Sequence, residues 1–169
     1  MAFDFDPEGG CISDGAIRYV MIRPDVLMGV GTALGDTAAF VGALERSAFA
    51  NARRSFEAYR ERGLLDSGNF LSVASDFAGR LGWGVWSVPI DASPDRPIEM
   101  DVRASPFAAG QGASDVPVCG TITGVLRALY AVALQREVAV IETHCAAQGH
   151  PRCRFTITPG APAPADAAA

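Results

Sequence analysis

The sequence of 169 residues is long enough for one domain with a sizeable core. Its net charge of −5 argues against non-specific nucleic-acid binding, because such binding needs clustered positive charge. All 14 basic residues are arginine, which excludes lysine Schiff-base chemistry and a Walker-type phosphate loop.

No apolar run reaches the ~18–20 residues that a membrane span needs. The acidic N-terminus lacks the basic and apolar regions of a signal peptide. We therefore expect a cytoplasmic protein, in which reducing conditions favour metal binding by the four cysteines over disulfides.

In the first half of the chain, the pattern predicts mainly helices. Residues 1–14 are rich in Gly, Asp and Pro and are expected to form a flexible arm. Residues 17–22 are a candidate apolar strand, and Pro24 suits the first turn of a helix that follows it. Apolar residues at helical spacing predict a long helix over residues 36–62 and a third helix after Ser67.

In the second half, the apolar pattern changes to a period of two. Strands are predicted over residues 83–90 and 97–105, and a helix over residues 119–134. Two further strands are predicted over residues 137–143 and 152–158. The fold class is therefore α+β: N-terminal helices pack on a four-stranded antiparallel sheet, and one helix crosses between its second and third strands.

These elements define one domain between two tails. The domain is predicted over residues 15–158. Residues 159–169 are a low-complexity run of Ala and Pro that can bury little apolar surface, so we expect a disordered tail.

Four potential metal ligands lie around the third predicted strand of the sheet. Glu142 ends that strand, Cys145 begins the turn after it, and Cys153 begins the returning strand. Cys119 lies in the first turn of the crossing helix, where free N–H groups and the helix dipole lower the pKa of a thiol. Since that helix leads back to the sheet, its start is expected beside the turn. Such a ligand set is typical of a closed, structural zinc site, and the alternative is three buried cysteines beside an exposed glutamate.

Neighbouring residues bear on this zinc hypothesis. Three thiolates and one carboxylate carry four negative charges, of which Zn²⁺ compensates two, and Arg152 and Arg154 lie close enough in sequence to offset the rest. His144 and His150 are alternative ligands, but each lies near a better-placed cysteine, and we interpret both as surface residues. Cys11, in the arm, is interpreted as a free thiol.

The residues around these ligands resemble the signature of the 4-vinyl reductase domain family, in the pattern Val138-x-Val140-x-Glu142-x-x-Cys145-x-x-x-Gly149-x-x-x-Cys153-Arg-Phe155 after Pro117-Val-Cys119. The family's zinc ligands follow one another at intervals of 23, 3 and 8 residues, and all three intervals recur here. The match covers about residues 65–158. It implies one structural zinc ion per chain, and the ligands would be Cys119, Glu142, Cys145 and Cys153. The implied fold binds ligands and is related to haem-based nitric-oxide sensors and to a vesicle-tethering subunit.

The family resemblance implies two kinds of function. In one, an apolar pocket braced by zinc binds an aromatic or hydrocarbon effector in a bacterial sensory domain. In the other, a bacteriochlorophyll 4-vinyl reductase-type protein handles a vinyl tetrapyrrole, and its Glu-Thr-x-Cys-x-Ala-x-Gly run resembles residues 142–149. Phenol-sensing members hold the phenol hydroxyl with a His and a Trp. Here both histidines lie in the zinc turn and the strand over residues 97–105 has no Trp, so phenol recognition of that kind is not expected.

We therefore predict a stand-alone, zinc-braced module that binds a small hydrophobic or aromatic ligand as a sensor or carrier. The resemblance also implies a homodimer that pairs through its helical face, with a downstream protein as a further partner. The alternative is a tetrapyrrole vinyl reductase-type enzyme or accessory. No nucleotide or flavin fingerprint that would supply a hydride is visible, so the sequence favours binding and assigns no catalytic residue. Inward parity and proximity to the sheet select the candidate ligand-binding residues Phe70, Phe77, Trp83, Trp86, Met100, Thr123, Tyr130 and Val140.

Overall fold

The computed structural model describes residues 3–15, 17–87 and 96–160. Within these ranges the helices are α1 (Pro24–Ala33), α2 (Thr37–Glu61), α3 (Phe70–Arg80), α4 (Pro106–Gln111) and α5 (Gly120–Leu134). The strands are β1 (Asp4–Asp6), β2 (Cys11–Asp14), β3 (Ile17–Tyr19), β4 (Val85–Ser87), β5 (Ile98–Arg103), β6 (Val138–His144) and β7 (Cys153–Pro159). None of the described helices is long and apolar enough to cross a membrane.

The predicted four-stranded antiparallel sheet is present, with its strands in the order β4–β5–β7–β6. Helix α5 connects β5 to β6, which confirms the predicted α+β fold with one helix crossing between the second and third strands. In β5 the side chains of Ile98, Met100 and Val102 are buried, because alternate residues of a strand share one face. Val102 pairs with Cys153, so the thiol at the start of β7 lies on an inner strand of the sheet.

The closest helix contact joins α5 to α2. A Cβ atom at Gly124 would lie 2.3 Å from the backbone oxygen of Glu45, and one at Gly120 would lie 2.5 Å from the backbone oxygen of Val41. The two glycines, one turn apart, therefore let the backbones of the helices touch. Other faces of α5 pack on β6 and α3, and they bury Ile122, Leu126, Leu129 and Tyr130.

The N-terminal residues differ from the sequence prediction. Where the sequence predicts a flexible arm over residues 1–14, β1 and β2 pair with β3 in a small antiparallel sheet. The carboxylate of Asp6 closes the first turn by accepting a hydrogen bond from the Gly9 N–H at 2.8 Å. The ring of Tyr19 then packs edge-on against Phe3, with the ring centroids 5.1 Å apart. Turn chemistry and this ring contact order residues whose composition alone indicates flexibility.

Several element boundaries also differ. The strand predicted over residues 17–22 ends at Tyr19, because Tyr19 pairs with Ile12 near the start of β2 and the residues after it have no strand partner. Helix α4 is absent from the prediction, since six residues are too few for a periodic pattern. Residues 88–90 of one predicted strand and residues 161–169 of the predicted tail lie outside the described residues.

The contact between α5 and α2 predicts that Gly124→Ala destabilises the protein by ~1–3 kcal/mol, because the added methyl meets the backbone of α2. The matched control is Gly79→Ala in α3, where a Cβ would meet nothing within 4 Å and helix propensity would raise stability by up to ~1 kcal/mol. Urea unfolding of both variants measures the two effects. Equal stability changes in both would contradict the direct backbone contact.

Candidate metal centre and apolar cavity

Cys119, Glu142, Cys145 and Cys153 come together in the structure, and one ligand atom from each lies within 4.8 Å of the others. The sulfur atoms of Cys119 and Cys153 are 3.5 Å apart, and all three cysteines of this group are buried. These four residues are called the Cys₃Glu cluster below. The fold therefore brings Cys119 to the other three residues, as the sequence predicts.

Each member of the cluster is placed by the end of a helix or strand. Cys119 is the residue that caps the N-terminus of α5, and its N–H donates a hydrogen bond to Glu142 Oε2 at 2.9 Å. Cys145 is extended and precedes a short 3-10 turn, which ends at Gly149 in a left-handed conformation (φ 88°). This turn reverses the chain from β6 into β7, so that Cys153 faces Cys119 across the cluster.

Two further groups donate or accept hydrogen bonds at the sulfur atoms. The Ser105 hydroxyl lies 3.2 Å from Cys119 Sγ, and the Ala146 N–H donates to Cys153 Sγ at 3.4 Å. Such donors favour the thiolate form, which is the form that binds metals. Sequence reasoning missed both, because Ser105 before Pro106 is a typical helix cap and nothing in the pattern connects it to a thiol 14 residues later.

The donor set fits a metal ion. Glu142 Oε1 is buried and has no hydrogen-bond partner among the described residues, although a buried carboxylate oxygen needs a donor or a cation. Sulfur ligands on a tetrahedral ion at ~2.3 Å lie ~3.8 Å apart, close to the 3.5 Å between Cys119 and Cys153. Three thiols and one carboxylate can therefore hold a metal ion.

Burial and crowding oppose full ionisation of the cluster by itself. Burial, followed by the hydrogen bond with Cys145, raises the pKa of Glu142 to about 8. Hydrogen bonds with Cys145 and Cys153, and then burial, raise the pKa of Cys119 far above its usual value. The helix N-terminus was predicted to lower this pKa, but the neighbouring sulfur atoms outweigh it. Two hydrogen-bonding thiols lower the pKa of Cys145, so one thiolate is favoured where three ligands are needed.

The prediction that Arg152 and Arg154 offset the charge of the cluster is wrong. Arg154 Nε donates to Asp101 Oδ1 at 2.8 Å, and Arg152 Nε lies 3.1 Å from the same carboxylate. Both guanidinium groups thus pair with β5 and not with the thiols. His144 and His150 are exposed and contact each other, with ring centroids 4.6 Å apart.

An apolar cavity of about 320 Å³ opens between β3, α2, the C-terminal end of α3 and the first turns of α5. Its apolar lining residues are Ile17, Leu44, Ala48, Ala52, Phe56, Phe77, Leu81, Trp83 and Val125. Its polar lining residues are Tyr19, Ser47, Asn51, Ser55, Tyr59 and Thr121. No charged side chain is among these lining residues.

Phe77 and Trp83 are the candidate ligand-binding residues that line this cavity. Phe70 and Tyr130 instead pack on each other in the core, with ring centroids 5.0 Å apart, and Met100 is fully buried under the sheet. Trp86 Nε1 donates to the Trp83 backbone oxygen, Thr123 Oγ1 donates to the Cys119 oxygen, and Val140 is half-buried on β6. The lining from α2 was missed, although Ser47, Asn51 and Ser55 recur every four residues beside the apolar stripe of that helix.

Comparison with known proteins supports this fold and the ligand pattern. The 4-vinyl reductase domain family matches residues 98–159, so the predicted relation to that family is confirmed for this segment. The Bacteriochlorophyll synthase 23 kDa chain of Cereibacter sphaeroides is 38% identical over 64 residues, which are 38% of this chain and 31% of that relative. The matched segment thus spans about a third of the curated relative.

Three solved structures have a similar fold. The phenol-responsive sensory domain of the transcription activator PoxR, solved with phenol, has a TM-score of 0.76 at 20% identity, over 93% of this chain and 84% of that one. A trafficking protein particle complex subunit 3 from Naegleria fowleri, covalently bound to palmitic acid, has a TM-score of 0.60 at 14% identity, over 82% and 95%. A vinyl-4-reductase family protein from Methanocaldococcus jannaschii has a TM-score of 0.51 at 14% identity, over 68% of each chain. At these identities the similarity establishes the fold alone.

We expect Cys153→Ser to remove bound metal, because it replaces a buried sulfur ligand on an inner strand. Elemental analysis should fall from about one ion per chain to nearly none. A loss of ~3 kcal/mol, a fraction of the ~10–16 kcal/mol of a structural zinc site, lowers Tm by roughly 6–12 °C. Cys11→Ser is the matched control, since the Cys11 thiol bonds the Gly9 oxygen in the N-terminal hairpin. A Cys153→Ser protein with normal Tm and no metal would refute a structural role for the cluster.

Proposed function

We propose that this protein binds a small apolar molecule in the cavity beside α5 and acts as a sensor or carrier of that molecule. The observation that carries this proposal is the cavity itself, which has no charged side chain in its lining. A volume of about 320 Å³ lies at the low end of the ~300–1,000 Å³ of small-molecule sites. The same fold in a phenol-responsive sensory domain and in a palmitate-bound subunit is consistent with this role.

We further propose that the Cys₃Glu cluster holds one structural Zn²⁺ per chain. Thiolates favour zinc over Mg²⁺ or Ca²⁺, and four protein ligands leave no position for a reacting water. Bound zinc would supply the positive charge that stabilises the thiolates and Glu142. Cys119, which caps α5, would thereby be joined to the turn between β6 and β7.

The proposed metal site and the cavity share one helix. Cys119 precedes the first residue of α5, and Thr121 and Val125 of the same helix line the cavity. A metal ion on Cys119 would therefore fix the part of the cavity wall that α5 contributes. This arrangement supports a bracing role for the metal and leaves ligand recognition to the cavity.

The second candidate function is that of a tetrapyrrole-handling enzyme or accessory, which the similarity to the Bacteriochlorophyll synthase 23 kDa chain favours. Two features weigh against it. Most residues that line the cavity lie before residue 98, outside the segment that matches the 4-vinyl reductase domain. The cavity is also small for a macrocycle of four pyrrole rings. Tetrapyrrole pigment that co-purifies with the protein and is reduced by a nicotinamide cofactor would favour this alternative.

The first test of ligand binding fills the cavity. Ala52 lines it from α2, so Ala52→Phe places a ring in the space and should abolish binding of a small neutral aromatic compound such as toluene. Ala50→Phe is the matched control, because Ala50 is exposed on the same helix and does not line the cavity. Isothermal titration measures both variants. Equal binding by the two variants would show that the compound lies elsewhere.

The second test removes the metal. If the ion braces the cavity wall, protein stripped with a chelator should bind toluene at least ~10-fold more weakly, and one equivalent of Zn²⁺ should restore the affinity. Circular dichroism before and after stripping separates this effect from unfolding. Unchanged affinity in a folded, metal-free protein would contradict the bracing role while leaving ligand binding intact.

A further inference from the structure

The polar side chains of the cavity lie mainly along one edge, where α2 faces the start of α5. On α2 these groups already have partners: Asn51 Nδ2 donates to the Ser47 backbone oxygen at 2.8 Å, and Ser55 Oγ donates to the Asn51 backbone oxygen at 3.3 Å. Asn51 Oδ1 also accepts a hydrogen bond from Arg54, whose side chain does not line the cavity. The α2 side of the cavity is therefore largely satisfied without a ligand.

Thr121, across from α2, is different. Its Oγ1 atom is buried and has no hydrogen-bond partner among the described residues. A threonine inside a helix usually donates to the carbonyl four residues earlier, as Thr123 Oγ1 does to the Cys119 oxygen at 3.4 Å. Thr121 is the second residue of α5, so the residues before it are not helical and offer no such carbonyl. A buried hydroxyl without a partner is unfavourable, and a polar group on a ligand would satisfy it.

The electrostatic surroundings exclude a charged ligand. No charged side chain lines the cavity, and an ion that leaves water needs a partner of opposite charge. The carboxylate of Asp14 lies at one end of the cavity, where it accepts a hydrogen bond from the Tyr59 hydroxyl at 3.4 Å, and it would repel an anion. Burial also raises the pKa of Tyr19 to about 12, so this lining phenol stays neutral.

We infer that the ligand is an uncharged molecule of one or two rings, or of similar size, with a single hydroxyl or carbonyl group that hydrogen-bonds to Thr121 Oγ1. This inference rests on the proposed function, since it assumes that the cavity beside α5 is the ligand site. It assigns recognition of the polar group to Thr121. Thr123, the candidate from sequence, has its hydroxyl bonded to the Cys119 oxygen and does not line the cavity.

The experiment compares probes of nearly equal shape on the metal-loaded protein and two variants. The one-ring probes are p-xylene, p-cresol and 4-methylbenzoate, and the two-ring probes are naphthalene and 2-naphthol. Thr121→Val keeps the shape of the side chain and removes its hydroxyl, and Thr123→Val is the matched control. Isothermal titration gives the affinity ratio of each hydroxyl probe to its hydrocarbon partner.

In the wild-type protein we expect the neutral probes to bind and 4-methylbenzoate to bind at least ~10-fold more weakly than p-cresol. The hydroxyl-to-hydrocarbon ratio should fall roughly 3- to 10-fold in Thr121→Val, the worth of one neutral hydrogen bond, and stay unchanged in Thr123→Val. Naphthalene affinity in Thr121→Val should not fall, which shows that the cavity is intact.

Three outcomes would overturn the inference. An unchanged ratio in Thr121→Val, or carboxylate binding as tight as that of p-cresol, would refute it while the proposed function survives. If no neutral probe binds to the folded, metal-loaded protein, or if Ala52→Phe does not block the probes that bind, both the inference and the proposed function fail.

Discussion

The first turn of α5 is the constraint on which the rest of the structure depends. Its capping residue, Cys119, donates its N–H to Glu142 and places its sulfur against Cys153, so the helix start is joined to the turn between β6 and β7. Directly after it, Gly120 contacts the backbone of α2. A shift of this turn would disturb the cluster, the helix contact and the cavity wall together, because close-packed interiors transmit displacement.

The two sides of α5 have different tasks. One side contacts the sheet and completes the cluster with residues from the segment that matches the 4-vinyl reductase domain. The other side meets α2, and the cavity between them is lined mostly by residues that precede that segment. A common bracing module is thus combined with a cavity wall from another part of the chain. Since recognition resides in that wall, the family match alone does not name the ligand.

Local signals predicted the main elements well. Apolar spacing and the Asp36 cap gave α2 nearly to its observed ends, and strict alternation gave β5, because both patterns reflect contacts within a few residues. The N-terminal sheet was missed because a turn bond and a ring contact, not composition, hold it. The partners of Arg152 and Arg154 were wrong because β5 lies beside β7, a pairing that sequence proximity does not reveal.

The sequence by itself determined the cluster, because four ligand types at three intervals coincide with the ends of predictable elements. It also determined the α+β order of helices and strands. Only the tertiary structure decided where the cavity lies and that Thr121, not Thr123, lines it, since one residue along a helix turns a side chain by ~100° and the neighbouring helix decides which face is open. The close approach of α2 to Gly120 and Gly124 made that decision, and it depends on residues about 80 positions apart in the chain.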